Sequence, residues 1–193
     1  MISDPISDTR ISDEHLIRRI AGRDQAAFTL LLSRHIDPVH SYLYRMTGSR
    51  TDAEDLTQET FLKVWQKASS YQPGRVKVTT WLHSIAHNNF IDGYRRRREP
   101  AADLTDGLPD ETADPLQETN ASEQQQRLEA AIGGLPDNQR SALLLCQVRG
   151  FSNAETAGIL GISTRALESL IARARRSLRA TLLDNGSNEE GAG

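Results

Sequence analysis

Apolar residues recur along this chain at three- and four-residue intervals, the spacing of amphipathic helices. Leu16, Ile17 and Ile20, then Ala27, Phe28, Leu31 and Leu32, predict two helices from Ser12 onward, parted by Gly22-Arg23-Asp24. Val39, Leu43 and Met46 carry a further helix to Gly48. Pro38 is expected at its start, because an interior proline removes a hydrogen bond and clashes with the preceding turn. Thr51 with Glu54 three residues on reads as a capping box, opening a helix whose core stripe is Ala53, Leu56, Thr60 and Val64. On Thr80–Arg98 the apolar arc is Trp81, Leu82, Ile85 and Ala86. Helices resume near Ser122, break at Leu135-Pro136, restart near Asp137 with Leu143, Leu144, Leu145 and Val148, and close at Arg149-Gly150. A second capping box, Ser152 with Glu155, opens Asn153–Leu160; Gly161 suits a tight turn, and Ser163 caps Thr164–Leu182. No strand pattern or internal repeat stands out.

Between the two helical blocks the pattern collapses. Residues 99–120, EPAADLTDGLPDETADPLQETN, hold three prolines, one glycine and no Lys or Arg. Such a segment buries too little to offset its ordering entropy and is expected to be a flexible acidic linker, as are the polar ends 1–11 and beyond Leu183 to be disordered. The fold class is therefore all-α: two small helical domains, 12–98 and 123–183, joined by a linker over 99–122, the second domain carrying a helix-turn-helix. A length of 193 residues with 37% hydrophobic and 5% aromatic residues suits two small units better than one large core.

Charge sharpens that division. The net charge of −3 averages over +4 on residues 1–98, −9 on 99–139 and +2 on 140–193. Two basic units thus flank an acidic middle. No apolar run approaches the ~20 residues of a membrane span. The N-terminal MISDPISDTR has no apolar core and is not read as a signal peptide. The single cysteine, Cys146, leaves no internal disulfide and reads as a small buried hydrophobe among leucines. A cytoplasmic protein is expected.

Placed at 100° per residue, the last helix divides cleanly. Leu167, Leu170, Ile171, Ala174 and Leu178 share one arc, and Arg165, Glu168, Ser169, Ala172, Arg173 and Arg176 share the opposite one. A basic arc with a small residue near its middle fits a major-groove reader better than a merely solvated helix face. Arginine suits phosphate or guanine, and glutamate accepts from cytosine N4. Ala157 is small enough for the two helices to cross closely.

Two N-terminal segments carry the rest. In DAEDLTQETFLKVW, residues 52–65, Asp55, Gln58, Glu59 and Lys63 lie outside the core stripe. By pattern alone they form a solvated face, with Glu59–Lys63 as an i,i+4 pair. In TWLHSIAHNNFIDGYRRRR, residues 80–98, Ser84, Asn88 and Arg95 line a face separate from the apolar arc, while Asn89 and Asp92 project towards it and read as structural.

Together with the helix-turn-helix these segments resemble the extracytoplasmic-function (ECF) group of bacterial sigma factors, in the sigma-70 family, over roughly residues 12–98 and 123–183. In the second block the match runs through Leu135-Pro136, Gln139-Arg140, Ser152, Glu155, Ala157, Gly161-Ile162-Ser163 and Arg173-Ala174-Arg175. The resemblance implies a factor that binds core RNA polymerase, at the β′ clamp and β subunits, and directs it to promoter DNA. Asp55, Gln58 and Glu59 fall on the polymerase-docking positions. Asn88 falls on the position that captures a flipped base of the −10 element, with Arg95 and Arg96 holding the strand's phosphates and the loop Tyr71–Val78 assisting the melting. Arg165, Glu168, Ser169, Ala172, Arg173 and Arg176 fall on the −35-reading face. Glu168 departs from relatives that carry Lys or Arg there, so base preference does not transfer at that position. Trp81 belongs with the core more than with a melting wedge. An anti-sigma factor is an implied partner, and the free protein is expected to be monomeric.

Other chemistry is weaker. His83 and His87 are four apart, but no third ligand is evident and position 84 is serine where a zinc-protease motif needs glutamate. No cofactor, metal or catalysis is expected. The competing readings are a helix-turn-helix regulator with an N-terminal sensing domain and, more remote, a metal-dependent hydrolase built on those two histidines.

Overall fold

A computed structural model describes residues 11–95 and 123–187, and all regular structure among them is helical. The N-terminal unit comprises α1 (Asp13–Ala21), α2 (Gln25–Thr47), α3 (Arg50–Lys67) and α4 (Val78–Asn89). The C-terminal unit comprises α5 (Glu123–Gly133), α6 (Asp137–Leu143), α7 (Asn153–Leu160) and α8 (Thr164–Ser187). The acidic linker 99–122 lies outside the described residues, as do residues 1–10.

Local chemistry sets most boundaries. Ser12 caps α1, with Asp13 and Glu14 in the first turn and Arg18 and Arg19 in the last, each charge matching the helix dipole. Arg23, at φ 66°, makes the turn, and Asp24 caps α2 by accepting from the Ala27 amide at 3.0 Å. That amide, then Arg19, holds the Asp24 carboxyl below its usual range. Asp13 also clamps α1 to α2, accepting from Arg34 at 2.8 Å and meeting His35 Nε2 at 2.7 Å.

Two expected boundaries are corrected. Pro38 lies inside α2, which runs unbroken to Thr47. A proline there costs about 3 kcal/mol of helix stability. Burial on both sides of it, by Leu31, Val39, Tyr42, Leu43 and Met46, offsets that cost and keeps one axis. The cap of α3 is Ser49, not Thr51: Gly48 closes α2 at φ 69° and leaves Ser49 extended, where its hydroxyl accepts from the Asp52 amide. Glu54 pairs instead with Arg50, at 3.0 Å. The last helix also outruns its expected end, reaching Ser187.

Leu16, Ile17, Ile20, Leu31, Val64 and Leu82 fill the core among α1 to α4. Ala142, Ala157, Leu167 and Ile171 pack the helix-turn-helix, and Leu135, Leu143 and Ala174 fill a smaller cluster beside it. A further core belongs to neither unit alone. Val39, Tyr42, Leu43, Met46, Ala86 and Phe90 from the first pack with Leu144, Leu145 and Ile159 from the second. Two π-helical turns feed this joint: Phe90–Arg95, where a continuous helix to Arg98 was expected, and Leu144–Val148 after α6. A π turn carries one residue more than an α turn and so rotates the next residues about the helix axis. Asp92, expected against the apolar arc, is consequently exposed.

Candidate nucleic-acid interface

α3 buries Ala53, Leu56, Thr60 and Val64 as expected. The Thr57 and Thr60 hydroxyls donate to the carbonyls of Ala53 and Leu56 at 2.6 and 2.7 Å, so both threonines sit in the core without an unmet polar group. Asp55 and Gln58 face solvent, and Glu59 is partly covered by its 2.8 Å pair with Lys63. Leu62 continues this face one turn on and is 55% exposed, an apolar anchor that the polar pattern did not single out.

Lys63 reaches beyond Glu59 to donate to the Asn89 side-chain oxygen, and the Asn89 amide donates to Thr60 Oγ1 at 3.0 Å. Asn89 is only 2% exposed, so its role is to tie α4 to α3, as read from the sequence. Its neighbour Asn88 points the other way and is exposed. Ser84, one turn earlier on the same face, donates to the Thr80 carbonyl at 2.9 Å. The backbone is described as far as Arg95, and Arg96 lies outside the described residues. Trp81 is half-buried beside Tyr71, ring centres 5.3 Å apart. The Tyr71 hydroxyl donates to the Val76 carbonyl at 2.7 Å and so fixes the loop before α4.

His83 and His87 both turn inward, and both meet Tyr42. His83 Nδ1 donates to the Thr79 carbonyl at 2.9 Å, and its ring meets Phe151 edge-on at 4.9 Å. His87 Nδ1 faces the Tyr42 hydroxyl at 3.0 Å. Burial pushes both imidazoles down to about 4, so both are neutral near pH 7. Burial raises the Tyr42 phenol, which stays protonated and donates to His87.

On α8 the division is as expected. Leu167, Ile171 and Ala174 are buried, while Arg165, Glu168, Ser169, Ala172, Arg173 and Arg176 are all exposed along one side. The turn before it has the required geometry: Gly161 at φ 65°, a complete Ser152–Glu155 capping box, and the Ser163 hydroxyl accepting from the Ala166 amide at 3.2 Å. The Ser152 amide and hydroxyl, then Lys77, hold the Glu155 carboxyl down to about 2. Only the last of these comes from the other unit, and sequence reasoning missed it. The available signal was the run Leu143-Leu144-Leu145: one helix face serves one core, and three successive leucines need two.

The chain matches known proteins. Residues 31–99 match sigma-70 region 2, and residues 125–178 match sigma-70 region 4. The chain is 38% identical to the ECF RNA polymerase sigma factor SigE of Mycolicibacterium smegmatis, over 86% of this chain and 67% of that one. It is 31% identical to the RNA polymerase sigma factor CnrH of Cupriavidus metallidurans, over 92% and 97%. The chain belongs to the ECF group of the sigma-70 family. Its fold superposes on the sigma factor RpoE of Bartonella quintana, solved with the anti-sigma factor NepR, at a TM-score of 0.69 and 28% identity over 80% of this chain and 96% of that one. In this sigma factor, the segments 52–65 and 80–98 and the motif residues from Leu135 to Arg175 lie within the two matched regions. Among the described residues no helix is long and apolar enough to cross a membrane.

Proposed function

We propose that this sigma factor binds core RNA polymerase through the α3 face of Asp55, Gln58 and Glu59 and directs it to specific promoters. The α8 face reads the −35 duplex. Asn88, with Arg95 and Arg96, captures the melted −10 strand. The observation that carries this reading is the α8 arc: six contiguous side chains, three of them arginines, with no packing role and on a capped helix-turn-helix. Guanidinium groups there supply phosphate affinity, and Glu168 supplies an acceptor for base discrimination.

The protein itself performs no bond chemistry in this reading; it recruits, recognises and captures. It works in the cytoplasm as a monomer until it meets polymerase. An anti-sigma factor holds it in reserve, a reading supported by the complex in which RpoE of Bartonella quintana was solved. The boundaries 12–98, 99–122 and 123–183 divide the work between docking and melting, linker, and −35 reading.

Mixing the purified chain with core polymerase and a genomic fragment library tests this. The expected result is a stable complex that starts transcription from a restricted set of fragments sharing two spaced elements. Duplex binding without any polymerase complex would instead favour a helix-turn-helix regulator.

A further inference from the structure

The loop between α3 and α4 is exposed but not slack. After a single 3-10 turn, Ala68–Ser70, the chain swings outward, and Gln72 to Lys77 are all exposed. Pro73-Gly74 are the residues a type II turn asks for at its two central positions, and Gly74 sits at φ 77°. The Arg75 amide closes that turn on the Gln72 carbonyl at 3.3 Å. The two side chains close it again, Arg75 Nη1 donating to Gln72 Oε1 at 2.7 Å. One buried group holds the far side. Tyr71 is 6% exposed, its ring packs on Trp81, and its hydroxyl reaches across the loop to donate to the Val76 carbonyl. Burial, then the Glu14 carboxylate, raises the phenol, so the hydroxyl stays protonated and remains a donor.

The chemistry the loop presents follows from its side-chain pair. A guanidinium only donates, so the Gln72 carbonyl faces Arg75 and the Gln72 amide NH2 is the group left to meet a ligand. That donor suits the ring nitrogens and carbonyl oxygens on the edge of an unpaired base, and the Arg75 charge beside it suits a phosphate. We propose that Tyr71 is a positioning residue for strand capture: its hydroxyl holds the loop in the shape that presents Gln72 and Arg75 together to the melted strand. The proposal rests on the reading of α4 and this loop as the −10 unit. It adds to Asn88 a second contact at the other end of α4, about 15 Å away along the helix axis. Tyr71 itself touches no nucleotide. Losing its hydroxyl lets the loop sample other shapes, and strand affinity falls by the fraction of chains that keep the right one.

The test uses holoenzyme, the chain with core polymerase, on a promoter fragment recovered from the genomic library, with strand opening read by permanganate reactivity. Tyr71→Phe keeps the ring against Trp81 and removes only the hydroxyl. Opening is expected to fall about fivefold, the effect of one hydrogen bond on the loop. Binding to core polymerase and to the −35 duplex is expected to stay at wild type. With the melted positions randomised, Tyr71→Phe and Gln72→Ala should relax base choice at the same position. In a chain carrying Gln72→Ala with Arg75→Ala, adding Tyr71→Phe should change nothing further, because nothing is left to position. Gly74→Ala reaches the loop independently: its Cβ meets open space, so only the left-handed backbone is penalised, and the same pattern is expected with the phenol in place. It decides the matter should Tyr71→Phe lower helicity. Wild-type opening and base choice in Tyr71→Phe overturn the proposal. So does a loss that persists undiminished without Gln72 and Arg75. Asn88→Ala, run alongside, locates the fault: a defect there with none in Tyr71→Phe strikes the loop assignment alone, and no defect in either strikes the reading of α4 beneath it.

Discussion

The α8 face and the α4 face, both proposed to meet DNA, differ in how far they are exposed. α8 presents the six residues proposed to read the −35 duplex on the outside of a helix whose inner side is committed to Leu167, Ile171 and Ala174. The face is prepared before DNA arrives, as a duplex reader needs, because the major groove accepts a rigid helix without rearrangement. α4 has no spare side. Leu82 and Ile85 face the N-terminal core, Ala86 faces the core shared by the two units, Asn89 is tied to α3, and His83 and His87 line the joint with the second unit. Asn88 is left at the edge of a cleft. If Asn88 captures a base as proposed, that base becomes available only after strands separate, so a partly walled site is no handicap. On the proposed roles, the difference teaches that accessibility in this chain follows the order in which its targets would appear.

The largest expected effect falls on the foundation of the open face. Leu167 is fully buried between α7 and α8. Leu167→Ala should cost about 2–5 kcal/mol, the range for leucine truncation in a packed core. Denaturant unfolding followed by circular dichroism reads this directly, and −35 duplex binding should fall with it. If duplex binding survives intact, α8 does not depend on its inner side as the packing requires.

A second effect belongs to the covered side. His83 and His87 have folded values near 4, below the 6.5 of an unfolded histidine, and burial is the leading cause for both. For His83 the positive charge of Arg149 and the nearby His35 push the same way, against the Thr79 carbonyl. The sign comes from proton binding: between these values the unfolded chain binds more protons, so stability is complete above pH 6.5 and falls as pH drops towards 4. The loss is at most about 3 kcal/mol per histidine. Glu155, held near 2, has its own loss only below pH 4.5, so the window from 6.5 to 4.5 separates the two. Unfolding midpoints at pH 7, 6 and 5 should decline, and His87→Gln, which keeps an acceptor for Tyr42, should flatten the decline. A midpoint constant from pH 7 to 5 would mean that water reaches both rings.

The comparison also shows what the sequence could and could not carry. The α8 face was legible because a single helix determines it: the periodicity that buries Leu167 and Ile171 exposes Arg165 and Arg173. The helix starts at Ser12, Ser152 and Ser163 were legible for the same local reason. Pro38 was misplaced because local propensity placed it at a helix start, whereas tertiary burial on both sides of it decided the matter. The joint was invisible because it depends on which face of one unit meets which face of another. Phe90 and Ile159, 69 positions apart in the chain, share a core that no periodicity within either segment predicts. The π turns at Phe90 and Leu144 were missed with it, since each changes register in the segment that enters that core.

A smaller effect separates holding from reading on the open face. Arg173→Ala should weaken −35 binding across sequences and reduce its salt dependence by about one counterion. Glu168→Ala should relax choice at one base pair, by about 1–3 kcal/mol of discrimination, with little change in salt slope. Binding to a −35 library at two salt concentrations distinguishes the two. A uniform shift for Glu168→Ala would leave that residue a solvated acid.

The smallest effect on stability is the one that isolates docking from both DNA faces. Gln58 is exposed and Glu59 half-exposed, and the Glu59 pair with Lys63 is an i,i+4 contact worth about 0.3–0.5 kcal/mol. Lys63 keeps its bond to Asn89 when Glu59 is truncated, so the tie between α3 and α4 survives. The double change Gln58→Ala with Glu59→Ala should therefore leave the unfolding midpoint within about 0.5 kcal/mol of wild type. Binding to a −35 duplex should also be unchanged, since α8 is untouched. Affinity for core polymerase should nevertheless fall if α3 docks as proposed, since its polar docking positions are gone while Leu62 stays exposed. Adding Leu62→Ala should then deepen the loss, again without moving the midpoint by more than surface truncation allows. Polymerase affinity equal to wild type in the triple variant would move the docking surface off α3, and with it the division of this chain into one face for protein and two for DNA.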